Sequence, residues 1–205
     1  LNKNIININK FLWKLKKIEI FSDNLEKEKL IDFEKENDQV FSIVKNYKLY
    51  QLLKNNLSKN KYFKSRLIPV KNLTYINKYD LVINCDPLNI ITKKYFNRKF
   101  EKEYNSKAYT TIITHEKILN NIAVQIFTNK GPLAFLPISD TQTSVVYSIP
   151  NFIYETKENI KTLIRDKNIK YKIKNIEEIN NFELKFLNLR EYHHNNILAF
   201  GELLH

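Results

Sequence analysis

Tyr79-Asp80-Leu81-Val82-Ile83-Asn84-Cys85-Asp86-Pro87 is the stretch whose reading decides the fold class. Its centre, Leu81-Val82-Ile83, is a continuous apolar run too short for a helix, which predicts a strand buried on both faces, with Cys85 inside as a small core hydrophobe. Asp86-Pro87 breaks the strand, since proline fixes φ and has no N–H to donate. From Leu88 to Phe96 apolar residues return at helical spacing, at Ile90, Ile91, Tyr95 and Phe96. Strand, acidic turn and helix in that order read as a βα unit of an α/β domain. Asp86 keeps two readings here: a cap for the helix that follows, or an acceptor for ligand hydroxyls at the carboxyl end of a parallel strand.

Upstream, Asn46–Leu57 carries Tyr47, Leu49, Tyr50, Leu52, Leu53 and Leu57, which puts a broad apolar stripe on one side of a helix. Asn46 is placed to cap it. Before that, Trp13 and Leu15 lead into the alternation Ile18-Glu19-Ile20, read as a short helix or turn followed by a strand, and the charged stretch Asp23 to Asp38 reads as a hairpin rim. Downstream of Phe100 the pattern changes. Ala108 to Thr114, Ile122 to Phe127, Leu133 to Ile138 and Ser144 to Ile149 are β-rich runs divided by turn formers such as Asn129-Lys130-Gly131-Pro132 and Ser139-Asp140. They predict four strands of an antiparallel sheet, then a helix from Glu155 to Arg165 and a strand from Phe182 to Leu189. Asn196-Ile197-Leu198-Ala199-Phe200 is a second buried run that ends at Gly201.

Composition narrows the chemistry. The 205 residues are 43% hydrophobic, enough for a real core in one domain or one and a half. Only two glycines are present, Gly131 and Gly201, where average usage would give roughly fourteen; no glycine-rich nucleotide loop fits inside this chain. A single cysteine, Cys85, rules out an internal disulfide framework and a Cys-rich zinc site and suits a reducing compartment. The net charge of +12 is spread as Lys among Asn and Ile, with Lys64 to Arg66 the nearest approach to a basic block, so it reads as solvated surface. No window reaches the ~18 apolar residues of a spanning helix, and Leu1-Asn2-Lys3-Asn4 lacks the order of a signal peptide, so the expectation is a soluble protein or one resting on a membrane. A start without Met and a stop just after an apolar run give the further expectation of a piece of a longer chain. His115, His193 and His194 lack metal-ligand spacing and read as surface residues. Trp13, Phe127, Phe135 and Tyr147 read as core or sheet-face residues, of the kind that would also wall an apolar substrate. A basic nucleic-acid-binding module would need aromatic and basic stripes on one sheet face, and the four predicted strands are too apolar for that.

Three segments, taken together, resemble a known family. Asp80-Leu81-Val82-Ile83-Asn84-Cys85-Asp86-Pro87-Leu88-Asn89 is similar to the D-x-V-x-x-A-D-G-x-N-S-x-x-R segment of the FAD-dependent aromatic hydroxylases, class A flavoprotein monooxygenases, and particularly of the branch that hydroxylates prenylated phenols in ubiquinone biosynthesis. Ile197-Leu198-Ala199-Phe200-Gly201-Glu202-Leu203-Leu204-His205 looks like that family's L-I-G-D-A-A-H. Between them, the stretch from Asn120 to Ile138 resembles the one that ends in G-P-x-A-x-L-P-L. Order and separation agree over roughly residues 45 to 205.

The resemblance implies an internal part of a split FAD-binding α/β domain into which an antiparallel β-sheet substrate domain is inserted. On that reading 1–45 hold the first substrate-domain strands and a crossover, and 46–100 a partial FAD-binding segment. The substrate-domain sheet takes 101–195, and 196–205 return to the FAD-binding domain. It implies FAD as cofactor, NAD(P)H and O2 as co-substrates and a prenylated phenol as substrate. It also implies a cytoplasmic protein, possible partners being a membrane surface or a quinone-synthesis complex, and no nucleic acid. By the same resemblance Asp86 lies near the cofactor's pyrophosphate, Glu202 bonds the ribityl chain, Gly201 lets backbone approach the cofactor closely, His205 closes the motif, and Lys48 sits near the family's cofactor-facing arginine. The sequence departs from the pattern at Pro87 for glycine, Ile90 for serine, Lys93 for arginine and Glu202 for aspartate, and the segment from Lys64 to Asn77 is shortened. The alternative these departures raise is a catalytically degenerate member of the fold that serves as an assembly subunit.

Overall fold

The computed structural model describes residues 7–23, 29–34, 39–66 and 73–204. In chain order it contains β1 (Trp13–Leu15), β2 (Lys17–Ser22), β3 (Lys29–Glu34), β4 (Phe41–Ile43), α1 (Asn46–Leu57), β5 (Val82–Asn84), α2 (Ile90–Tyr95) and β6 (Lys99–His115). It continues with β7 (Ile122–Thr128), β8 (Gly131–Pro137), β9 (Gln142–Pro150), α3 (Lys157–Lys167), β10 (Ile173–Ile176), β11 (Asn180–Leu189), β12 (His193–His194) and β13 (Ile197–Ala199). The chain divides into two compact units, one of residues 1–63 and 105–183, the other of 64–104 and 184–205. The boundaries expected from the sequence were 45/46, 100/101 and 195/196.

The first unit is built on an eight-stranded sheet in the order β10-β6-β9-β8-β7-β2-β3, with β11 also paired to β6. The four β-rich runs form the antiparallel centre, because β-branched and aromatic residues alternate strictly along them. In β9 every second residue is buried. Thr111, Val145, Phe135 and Val124 form one row across the sheet, and Tyr109, Tyr147, Leu133 and Ile126 the next. Helix α3, whose start is capped by Thr156 accepting from the Asn159 N–H at 3.1 Å, lays Ile160 and Ile164 on this face. Each fully buried side chain of these rows contributes about 1.5–3 kcal/mol through lost water contact. Of the charged stretch Asp23 to Asp38, residues 24–28 and 35–38 lie outside the described residues; β3 within it pairs antiparallel with β2, which runs parallel to β7 on its other side.

The second unit has a three-stranded sheet in the order β12-β13-β5. Its core gathers Ile76, Ile91, Phe96, Leu189, Ile197, Ala199 and Leu203. Strand β5 is parallel to β13, with Val82 opposite Ile197, Ile83 opposite Leu198 and Asn84 opposite Ala199. Such a pairing needs a crossover connection, which here runs through α2, β6 to β12 and α3.

Four expectations are corrected. Strand β5 is not buried on both faces: Leu81 and Ile83 are exposed, and only Asn84 is buried. Cys85 is likewise exposed and no core hydrophobe, since it follows the last paired residue and points away from the core. Asn46 does not cap α1; it is the first helical residue, and extended Lys45 precedes it without a side-chain cap. His115 is no surface residue, as it is 2% exposed. It continues the core-facing alternation of Tyr109, Thr111 and Ile113 to the end of β6.

Candidate functional site

The carboxyl ends of the parallel pair β5–β13 place the two acid-bearing segments side by side. Asp86 lies two residues beyond Asn84 and Gly201 two beyond Ala199, so the register sets them level, and the pairing is prolonged by the Phe200 N–H donating to the Asn84 carbonyl at 2.9 Å. Glu202 follows in a short 3-10 turn, Gly201–Leu203. In open α/β sheets ligand groups collect at such strand ends.

A closed set of hydrogen bonds holds the turn after β5. The Asn84 amide donates to the Thr92 hydroxyl at 2.8 Å, and the Thr92 hydroxyl donates to the Asp86 carbonyl at 2.6 Å. The Asn89 amide donates to Asn84 Oδ1 at 2.6 Å, while Asn89 Oδ1 caps α2 by accepting from the Thr92 N–H at 2.9 Å. Asn89, not Asp86, is therefore the helix cap. Asp86 Oδ1 accepts from the Leu88 N–H at 2.8 Å, closing an Asx turn. Its other oxygen has no partner among the described residues, and the residue is exposed. Glu202 is exposed too, and no ion pair engages it among the described residues.

Gly201 has φ +65°, the left-handed region where a glycine carries no penalty. A Cβ there would meet the Cys85 side chain at 3.8 Å, an ordinary contact, so space is not what limits the position. Lys48 lies on α1 in the first unit, half-buried, whereas Asp86 and Glu202 belong to the second unit. His205 lies outside the described residues. His193 is exposed, and His194 stacks on Tyr95 with ring centroids 4.6 Å apart.

Two features of the first unit were not foreseen. The sheet face opposite the core is only partly covered, and against it lies a cavity of about 420 Å3 lined by Ile43, Tyr47, Ile112, Leu136, Ile138 and Ser144 among others. Ile112, Ser144 and Leu136 are direct cross-strand partners, so the signal was the outward phase of the same alternation that built the core. Phe135 and Tyr147 lie on the core side and are buried, Phe127 is exposed, and the Trp13 indole donates to the Asn120 carbonyl at 2.6 Å.

The second feature is a buried polar network. His115 Nδ1 faces the Glu116 carbonyl at 2.8 Å; a carbonyl only accepts, so Nδ1 carries the proton and Nε2 accepts from the Thr143 hydroxyl at 3.0 Å. Asn120 donates to the Ser139 carbonyl at 2.8 Å and to Thr143 Oγ1 at 3.0 Å, and its own oxygen accepts from the Tyr171 hydroxyl at 3.0 Å and from Lys170 Nζ at 3.4 Å. Burial pushes the Tyr171 phenol up and the Lys170 amine down from their ordinary values.

No family profile matches the sequence, and no curated protein matches it. Solved structures do. The chain is similar to pqsL, a probable FAD-dependent monooxygenase from Pseudomonas aeruginosa, with a TM-score of 0.70 and 13% identity over 95% of this chain and 62% of that one. It is similar to p-nitrophenol 4-monooxygenase PnpA from Pseudomonas putida DLL-E4, with a TM-score of 0.68 and 10% identity over 97% and 58%. The flavin-dependent halogenase CmlS follows at a TM-score of 0.65 and 11% identity, over 95% and 42%. The chain thus spans at most about three fifths of the length of these structures. At such identities the likeness establishes the fold: a mixed α/β architecture, with parallel and antiparallel pairing, of the kind found in FAD-dependent monooxygenases and halogenases.

Proposed function

We propose that the chain forms part of an FAD-dependent monooxygenase that hydroxylates a prenylated aromatic ring in ubiquinone biosynthesis, with NAD(P)H and O2 as co-substrates. The observation that carries this reading is the parallel pairing of β5 with β13, which sets Asp86 and Gly201 level at neighbouring strand ends although six strands of the large sheet, β6 to β11, separate them in the chain. The acceptors there suit the hydroxyl-bearing part of FAD. Asp86 Oδ2 and the Glu202 carboxylate would accept from ribose and ribityl hydroxyls. The phosphate side is less well served, because Pro87 has no N–H and Asn89 already satisfies the Thr92 N–H. Lys48 rests on the resemblance alone. When bound, FAD would supply the redox chemistry, and the protein's part would be position and dryness. The apolar cavity on the outer sheet face, with Ile112 and Leu136, would exclude water from the prenylated part of a substrate. A lipid-soluble substrate and a charge of +12 favour a cytoplasmic protein held peripherally at the inner membrane.

The test is a titration of the purified protein with FAD, followed by flavin fluorescence and visible absorption. Saturable changes are expected, weakened about tenfold or more by Glu202→Gln or Asp86→Asn, since each removes a charge-assisted hydrogen bond of about 1.5–3 kcal/mol. Folded protein that leaves the FAD spectrum unchanged overturns the cofactor claim. That outcome is what the second reading, a degenerate assembly subunit, requires, and Pro87 in the turn favours it.

A further inference from the structure

Beside the acid-bearing turn, but lined by neither acid nor by Gly201, the second unit holds a cavity of about 450 Å3. Its walls are apolar: Leu88 after the turn, Phe96 after α2, Leu189 at the end of β11, and Leu203. Phe96, Leu189 and Leu203 are at most 4% exposed, so these walls belong to the core and are fixed by it. Among the described residues the charged groups in the lining are Lys93 and Lys99, and no acidic residue lines it. The two lysines differ. Lys99 is spent on Glu101, 2.8 Å away. Lys93 is exposed on α2 and has no acidic partner among the described residues. An apolar hollow with one uncompensated cation at its edge is complementary to a molecule with an apolar body and one negative end.

We propose that this cavity binds an amphipathic monoanion, an apolar chain or ring bearing one carboxylate, with the body against Leu88 and Leu187, over a floor set by Phe96, Leu189 and Leu203, and the carboxylate at Lys93. The apolar contact supplies most of the affinity, because it removes hydrocarbon from water. Lys93 supplies the preference for the charged form; a neutral analogue forgoes the ion pair, and a cationic one meets repulsion. The site goes beyond the proposed cofactor chemistry and does not depend on it, since Asp86 and Glu202 take no part.

The experiment compares decanoate with decanol, equal in chain length, by calorimetric titration of the protein. Decanoate is expected to bind about fivefold more tightly than decanol, the scale of a solvent-exposed ion pair. Lys93→Gln should bring decanoate to the level of decanol and leave decanol unchanged. Leu88→Trp, at a position exposed enough to accept the larger side chain without refolding of the core, should block both ligands. Glu202→Gln should alter neither, which separates this site from the flavin reading. Equal affinity for the two ligands, no binding of either, decanoate binding untouched by Lys93→Gln, or binding untouched by Leu88→Trp would each overturn the proposal.

Discussion

Asn120→Ala should be among the most damaging single substitutions in the first unit, although Asn120 lies in a loop between β6 and β7. The residue is 1% exposed, and its amide meets the Ser139 carbonyl, Thr143 Oγ1, the Tyr171 hydroxyl and Lys170. Truncation orphans the Ser139 carbonyl and the Tyr171 hydroxyl, while Thr143 keeps His115. A buried polar group left without a partner costs about 1–3 kcal/mol, so two of them set the loss at about 4 kcal/mol. For a chain of this size that is a fall in midpoint on the order of 10 °C. Tyr171→Phe alone should cost only about 1 kcal/mol, because Lys170 still serves the Asn120 oxygen. In the Asn120→Ala background it should cost nothing or even stabilise, since it deletes one of the orphans. The coupling, about 1–2 kcal/mol, is read from a double-mutant cycle in urea with near-ultraviolet circular dichroism as the probe. A loss below about 1 kcal/mol for Asn120→Ala, or additive single and double effects, refutes the idea that these groups act as a unit.

The two glycines should behave differently. At Gly131 a Cβ would stand 2.0 Å from the Ser148 carbonyl oxygen, a backbone atom of the neighbouring strand, so Gly131→Ala should cost about 3 kcal/mol or more in urea unfolding. At Gly201 the obstacle is φ alone; Gly201→Ala should cost about 1–2 kcal/mol and Gly201→Asn less, and equal losses for both would contradict this. The Tyr147 hydroxyl is buried without a hydrogen-bond partner among the described residues, Thr128 beside it being committed to the Gly131 carbonyl. Tyr147→Phe should therefore leave thermal stability unchanged or raise it by up to about 1 kcal/mol. Burial raises the Tyr171 pKa above its ordinary 10.0, so its contribution is whole below pH 10 and is lost as pH rises through the folded-state value. Lys170, lowered by burial, acts in the opposite sense. Tyr171→Phe should flatten the alkaline decline in urea midpoint.

Long, strongly periodic elements were legible. The stripe of Asn46–Leu57 marks α1 end to end, and the alternation of β6 to β9 marks the central sheet. The short strands β1, β4, β10 and β12 carry too little pattern to read, and their partners are decided by tertiary pairing. Leu81-Val82-Ile83 misled because a continuous apolar run does not say which face is covered. The burial of His115 follows from its phase along β6, which matches Tyr109 and Ile113, and not from its residue type, which favours the surface. The adjacency of Asp86 and Gly201 is invisible to any local pattern, and there the resemblance to a family supplied what periodicity could not. The outer-face cavity and the Lys93 hollow depend on what stays uncovered, which sequence patterns do not encode.

The pairing of residues 82–84 with 197–199 also dictates an order of events during synthesis. Closing so distant a contact carries a large entropic toll and slows folding, whereas the meander β7–β8–β9 is joined by short turns and can consolidate early. As the ribosome delivers residues in sequence, the backbone of β5 must wait without its parallel partner until β13 emerges. That interval is the time at which a chaperone has something to hold, and at which a stalled polypeptide would be most open to proteases.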